Sequence, residues 1–153
     1  MTNAQFMFNI LTALPTLSLP NATFEKVTIA QGIFSQYNNA QMTTINVPKA
    51  TFESLASTAN ANFFNGNYGN SIVNYTAKPL GVDNKAIGVS FAFYAPRLNY
   101  ASYLSVANWL KDLSGLTAQT ITISTVAWNA LSAAEQATIQ GILSGKNWNL
   151  ATA

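Results

Sequence analysis

Acid–base chemistry in this chain would fall mainly on its five acidic residues, because the sequence contains no histidine and no cysteine. Two of them, Glu25 and Glu53, end the related decapeptides TLSLPNATFE and TINVPKATFE, which start at Thr16 and Thr44. If the two decapeptides stack, their carboxylates approach the separation of about 5 Å found in retaining glycosidases. A polysaccharide-cleaving enzyme therefore remains one candidate function.

The alternative is that both glutamates lie on a solvated loop beside Lys26 and recur only because the decapeptide recurs. No third carboxylate accompanies the pair to tune one of the two as a general acid, so we expect no catalytic residue and no enzyme activity. The absence of cysteine and histidine also excludes disulfides, a thiol nucleophile, a Ser-His-Asp triad and a Cys/His zinc site. We expect no cofactor and no metal.

Charge is scarce in this chain of 153 residues. Only 8% of its residues are charged, whereas 49% are hydrophobic, and about 25% charged residues is typical of a soluble domain. The seven basic residues are scattered singly, which argues against a nucleic-acid partner. The longest apolar run, AIGVSFAFYA from Ala86, is about half of what a membrane-spanning helix needs, and the opening MTNAQFMFNI has no basic region that would indicate an export signal.

The two decapeptides belong to a longer repeat with the skeleton apolar-x-x-apolar-x-apolar. Its five lines are Leu14, Leu17, Leu19; Met42, Ile45, Val47; Ile72, Tyr75, Ala77; Ala101, Leu104, Val106; and Ala118, Ile121, Ile123. A phenylalanine lies eight residues before lines two, three and four, at Phe34, Phe64 and Phe93. A period of 28 to 30 residues is typical of repeat solenoids, so we predict a parallel β-sheet of about five stacked strands with irregular loops.

Strand alternation would direct the residues between the apolar letters to the opposite face of this sheet. They are Thr16, Ser18, Thr44, Asn46, Asn74, Thr76, Tyr103, Ser105, Thr120 and Thr122, all of them polar or tyrosine. We predict two polar rows along one face, with ligand binding by the residues from Thr44 onward. The Gly-rich stretch GNYGNS from Gly66 lacks the lysine of a phosphate-binding loop and predicts only a loop tip.

The segments LTALPTLSLPNATFEKVTIAQGIF and MTTINVPKATFESLASTANANFF resemble the BspA-like leucine-rich repeats of bacterial surface proteins and phage appendages. The resemblance covers roughly Phe8 to Ser124. It departs from the family in its longer linkers after the proline and in the missing cysteine. It implies a leucine-rich-repeat-like solenoid that serves recognition or structure.

The C-terminal sequence predicts a helical cap on the solenoid. Ser105 and Gly115 would bound one short helix, and Ser132 with Glu135 forms a capping box for a second helix that ends near Gly145. We therefore divide the chain into a solenoid, 1–124, and a cap, 125–153, which resembles the closing segment of phage tail and fibre proteins. Together with the two predicted helices, three tryptophans predict the core of this capping end, with a sugar-stacking site as the alternative; they are Trp109, Trp128 and Trp148.

The N-terminal end has no comparable cap, so we predict an assembly edge at Phe6, Phe8 and Leu11, with residues 1 to about 14 buried against another copy or another virion protein. The alternative is that this segment folds back as its own cap. The function expected overall is a non-enzymatic structural and recognition component of a phage virion appendage, such as a tail fibre, that forms homo-oligomers and contacts the host surface. The alternative is an adhesion module on the bacterial cell surface that binds a protein or a glycan.

Overall fold

The computed structural model describes residues 1–8, 11, 13–35, 41–56, 61–64 and 71–153. Its elements in chain order are β1 (Thr16–Ser18), β2 (Thr44–Val47), β3 (Asn74–Ala77), β4 (Phe91–Phe93), α1 (Tyr100–Trp109), β5 (Gln119–Ile123), α2 (Thr125–Asn129), α3 (Ala133–Gly145) and β6 (Trp148–Thr152). Most of the predicted loop tip, residues 66–70, lies outside the described residues. Within the described ranges, no helix is long and apolar enough to cross a membrane.

The repeated decapeptides are neighbouring parallel strands. Thr16 of β1 pairs with Thr44 of β2, and Thr44 in turn pairs with Asn74 of β3. Leu17, Ile45 and Tyr75 are in register at the next position, and all three side chains are buried. In β1, β2 and β3, the side chains that point inward and outward are those predicted from the alternation in the sequence.

The predicted solenoid with a single sheet of about five stacked strands is wrong. The structure has two separate three-stranded parallel sheets, ordered β1-β2-β3 and β4-β5-β6, together with three helices. The fourth apolar line lies in helix α1, and Ile121 and Ile123 of the fifth line lie in β5 of the second sheet. Among the described residues there is no closed or solenoid sheet.

Helix α1 occupies the place of the expected fourth strand because its sequence also satisfies a helix. Asn99 caps its N-terminus, where the side-chain oxygen accepts a hydrogen bond from the Ser102 N–H at 2.9 Å. The predicted N-cap, Ser105, lies inside the helix. Ser102 and Ser105 share one helix face, and their hydroxyl oxygens accept hydrogen bonds from the N–H groups of Tyr75 and Ala77. The edge of β3 is therefore closed by side chains instead of a strand.

The C-terminal part of the chain builds the second sheet. Strand β5 pairs in parallel with β4 on one side and with β6 on the other. Helix α3 begins at the predicted capping box, in which Ser132 and Glu135 bond reciprocally, and it ends at Gly145. The domain boundary drawn after residue 124 thus falls between two strands of one sheet.

Stacked aromatic rings fill the interior. Phe24 and Phe52, the phenylalanines of the two decapeptides, stack with ring centroids 4.8 Å apart and planes 4° from parallel. Both adopt the left-handed backbone conformation, with φ of 53° and 51°, which is uncommon for a bulky residue. Phe34 is fully buried and contacts the rings of Phe8 and Phe63. The repeat in sequence is thus also a repeat of backbone geometry.

Candidate functional site

Six outward side chains of the first sheet form a continuous uncharged surface, which we call the polar face. It consists of Thr16 and Ser18 from β1, Thr44 and Asn46 from β2, and Asn74 and Thr76 from β3. All six are exposed or half-buried, whereas the residues between them point into the core. Neighbouring strands lie about 4.8 Å apart, so hydroxyl and amide groups recur at regular intervals across this face.

Side-chain hydrogen bonds link the polar face across its strands. The Asn74 amide donates to the Thr44 hydroxyl at 3.3 Å, and the Asn46 amide donates to the Ser18 hydroxyl at 3.4 Å. Asn99 extends the face beyond β3, because its amide donates to the Asn74 carbonyl oxygen at 2.7 Å. The five-strand repeat pattern does not include Asn99. The sequence feature that could have identified it is its position just before the helical run YASYL, where a helix N-cap is expected.

Four predicted binding residues lie away from the polar face. Tyr103 is only 2% exposed, and it points into the core from α1, where its ring contacts Trp128. The hydroxyl of Ser105 is occupied by the N–H of Ala77. Thr120 and Thr122 are half-buried positions of β5 in the second sheet. The two long rows predicted across five strands therefore reduce to rows across three strands.

The predicted assembly edge at the N-terminus packs within its own chain. The N–H groups of Phe6 and Phe8 donate to the carbonyls of Gln31 and Ile33, and Asn3 bridges in parallel to Ile29. Phe6, Phe8 and Leu11 are all half-buried. This geometry favours the alternative in which the segment acts as its own cap, although Met1 and Met7 beside it remain exposed.

Glu25 and Glu53 lie in adjacent, equivalent turns. The Ser54 hydroxyl donates to the backbone carbonyl of Glu25, and the two turns stack through the rings of Phe24 and Phe52. The Glu25 side chain is exposed and that of Glu53 is half-buried. A groove of about 300 Å³ beside Phe24 and Glu25 also contains Lys26 and Met1.

The other three carboxylates are held by local hydrogen bonds. The backbone N–H of Lys85 lowers the pKa of Asp83, and the Ser114 hydroxyl lowers the pKa of Asp112. The hydroxyl of its N-cap serine lowers the pKa of Glu135. All three are therefore ionised near neutral pH, which is the opposite of what a general acid requires. Among the described residues, no cluster of acidic side chains could hold a metal ion.

A cavity of about 420 Å³ lies between β3 and the helices, and its lining residues are Ala77, Pro79, Leu80, Ser105, Asn108 and Lys146. Its one charged group is already engaged, because the Lys146 ammonium donates to the carbonyls of Ala107, Asn108 and Leu110 at 2.7 to 3.0 Å. Burial lowers the pKa of Lys146 to about 8, and the charge of the Asp112 carboxylate opposes this shift. Lys146 thus caps the C-terminal end of α1.

The three tryptophans are core residues. Trp109, Trp128 and Trp148 are 0%, 8% and 4% exposed, so none of them presents a ring face on which a sugar could stack. Trp148 also donates its indole N–H to the backbone carbonyl of Lys111 at 2.8 Å. The polar face is thus the surface in which the sequence prediction and the described geometry agree.

Comparisons with known proteins do not assign this chain to a family. No protein-family model matches the chain, and neither the curated proteins nor the solved structures gave a significant match. Any function must therefore be argued from the geometry of the chain itself.

Proposed function

We propose that this protein is a non-enzymatic structural and recognition subunit of a phage virion appendage, and that its polar face contacts an uncharged glycan on the host surface. The observation that carries the proposal is the polar face itself: six in-register hydroxyl and amide side chains on three parallel strands, with no charged residue among them. Each hydroxyl and each amide can both donate and accept hydrogen bonds, as sugar hydroxyls do.

The charge distribution supports a neutral ligand. A charged ligand would be matched by Lys, Arg, Asp or Glu, whereas the six side chains of this face are all uncharged. Binding through neutral hydrogen bonds depends little on ionic strength, in contrast to ion pairing. We therefore expect recognition that persists at high salt.

Affinity at a single face should be low. Aromatic residues dominate strong binding surfaces, and Tyr75, the aromatic residue of these strands, points into the core. Several copies on one appendage would compensate, because linked sites gain avidity without any new contact. This requirement supports an appendage subunit over a solitary binding protein.

The state of the carboxylates supports a non-enzymatic role. Asp83, Asp112 and Glu135 are engaged in local structure with lowered pKa values, and Glu25 lies on an exposed turn. A lowered pKa in these three residues is the opposite of the raised pKa that general-acid catalysis needs at neutral pH.

The test is binding of a multivalent form, biotinylated and displayed on streptavidin, to intact bacterial cells and to an array of neutral bacterial polysaccharides. We expect binding to change less than about twofold between low and high salt. The double variant Thr44→Ala with Asn74→Ala should lose most binding while its far-UV spectrum is retained. The matched control replaces two exposed polar residues outside the face, Thr117→Ala with Gln140→Ala, and should bind normally. Equal binding by both double variants, or binding that collapses with salt, would refute the proposal.

A further inference from the structure

The two sheets have four outer edges, and two of them are closed within the chain. The edge of β3 is closed by the hydroxyls of Ser102 and Ser105. The edge of β4 is closed by residues 61–63, because Asn62 bridges in parallel to Ala92. The remaining edges belong to β1, with three residues, and to β6, with five.

Strand β6 presents a regular row of free backbone groups. The N–H of Ala153 donates to Ile123 of β5, so strand alternation directs the backbone groups of Trp148, Leu150 and Thr152 away from β5. No hydrogen bond joins those outward groups to any other part of the chain that the structure describes. A further strand could therefore pair along the full length of β6.

This edge also lacks the features that normally block edge pairing. Natural edge strands are protected by lysine, proline, inward charges or bulges, and the sequence WNLAT contains none of these residues. Leu150 packs on the core but is only half-buried, so part of this apolar side chain is exposed to solvent. A partner at this edge would cover both the backbone groups and that apolar surface.

We propose that two copies of this chain pair β6 to β6, antiparallel, about a two-fold axis that passes beside Leu150. The edge is self-complementary in this arrangement: Leu150 faces Leu150 of the second copy, and Trp148 faces Thr152. In this register, the outward backbone groups of Trp148, Leu150 and Thr152 pair with the same groups of the second copy and form about six backbone hydrogen bonds. The β4-β5-β6 sheets of the two copies then become one continuous sheet. A two-fold contact uses the same surface on both copies and closes at a dimer.

The other open edge fits this role less well. In strand β1, only Thr16 and Ser18 direct their backbone N–H and C=O groups away from the sheet, because the backbone groups of Leu17 point towards β2. At the N-terminal end, the outward N–H groups of Gln5 and Met7 are already bonded to Asn3 and Ala4. The longest unprotected row in the described residues is therefore β6.

Sedimentation equilibrium tests the dimer. The range should extend from about 1 µM to about 1 mM, because small interfaces are typical of weak complexes. Thr152→Pro removes an outward N–H at an exposed position and should weaken dimerisation about tenfold or more, since symmetry deletes two interchain hydrogen bonds at once. Thr152→Ala, the matched control, should dimerise like the wild type. A wild type that is monomeric throughout, or a proline variant that dimerises equally well, would overturn the proposal.

Cysteine cross-linking tests the register independently of folding losses. The chain has no cysteine, so single variants are unambiguous. Antiparallel pairing centred on Leu150 places Asn149 opposite Ala151 of the second copy, with Cα atoms about 4.5 Å apart. A mixture of Asn149→Cys and Ala151→Cys should therefore form the mixed disulfide, because two copies of either variant place their cysteines too far apart. Same-variant disulfides in excess, or ladders larger than dimers, would exclude this pairing.

Discussion

Ser102 closes the β3 edge of the first sheet through its side-chain hydroxyl. Replacing it by alanine tests whether this hydrogen bond stabilises the fold. Its side chain is buried, and its hydroxyl oxygen accepts the N–H of Tyr75 at 2.8 Å. The same hydroxyl lies 3.2 Å from the carbonyl of Val73 and 2.8 Å from the Asn99 side-chain oxygen. In Ser102→Ala, the Tyr75 N–H keeps its position but loses its partner.

The loss of stability expected for Ser102→Ala comes mainly from the buried N–H group that is left without a hydrogen-bond partner. A buried donor left unsatisfied costs about 1 to 3 kcal/mol, while alanine at a helix interior position recovers about 0.5 kcal/mol over serine. The carbonyl of Val73 adds little, because it also accepts from the Asn99 N–H. We expect Ser102→Ala to lower the free energy of unfolding by about 0.5 to 2.5 kcal/mol. Ser105→Ala should cost less, because Ser105 is half-buried and water can replace its hydroxyl.

Urea unfolding followed by far-UV circular dichroism measures these differences, and hydrogen exchange locates them. The matched control is Ser144→Ala, a serine-to-alanine change at an exposed position of α3, which should alter stability by less than about 0.5 kcal/mol. In Ser102→Ala the amide of Tyr75 should exchange faster, whereas amides in β5 should change only with global stability. Indistinguishable stabilities of Ser102→Ala and Ser144→Ala, together with unchanged exchange at Tyr75, would refute the closed edge.

Three further perturbations test other parts of the molecule. Burial raises the pKa of Tyr75 and Tyr103 well above the ordinary value, so above pH 10 the unfolded chain loses phenolic protons that the folded chain keeps. Urea unfolding should therefore show a free energy of unfolding that falls by up to about 2.7 kcal/mol per pH unit above pH 10. The double variant Tyr75→Phe with Tyr103→Phe should show a smaller dependence on pH. In Gly32→Ala, the added Cβ would clash with the ring of Phe6, and the backbone φ of 63° is unfavourable for alanine. The variant should lose more than about 1 kcal/mol of stability in thermal unfolding, and the amide of Phe6 should exchange faster. Lys146→Met leaves three helix-end carbonyls without their ammonium and should cost about 1 to 2 kcal/mol in urea unfolding, and a cost near zero would show that the cap is not stabilising.

The first three strands were predictable because local and long-range preferences agree there. In TLSL and TINV, apolar and polar residues alternate, and a proline follows two residues after the last outward position in each. Parallel pairing at a constant offset of 28 residues then buries Leu17 against Ile45 and keeps Ser18 beside Asn46. Any slip of one residue would turn every side chain to the wrong face.

The fourth line failed because its skeleton fits two periodicities. As a strand, Ala101, Leu104 and Val106 were assigned to the core, with Tyr103 outward. As a helix, Tyr103, Val106 and Ala107 share one face at spacings of three and four residues, and all three side chains are buried. The cap at Asn99 was the local feature that favoured the helix.

The backbone geometry of the turns was beyond sequence reasoning. Nothing in NATF or KATF predicts that Phe24 and Phe52 adopt positive φ, since phenylalanine avoids that region when isolated. The strain is sustained by interactions between the turns: the rings stack, and the Thr51 N–H donates to the carbonyl of Thr23 at 2.7 Å. These stabilising interactions form only when the two turns of the repeat lie side by side in the folded chain.

The closed edge of β3 also limits the size of the ligand that the proposed recognition through the polar face would involve. With α1 in place of a fourth strand, the face spans two interstrand spacings, about 10 Å, and ends at Asn99. A footprint of that width accommodates only a short stretch of a sugar chain, and it lacks an aromatic platform because Tyr75 points inward. A single face of this size gives weak binding, so a recognition role requires several faces on one assembly.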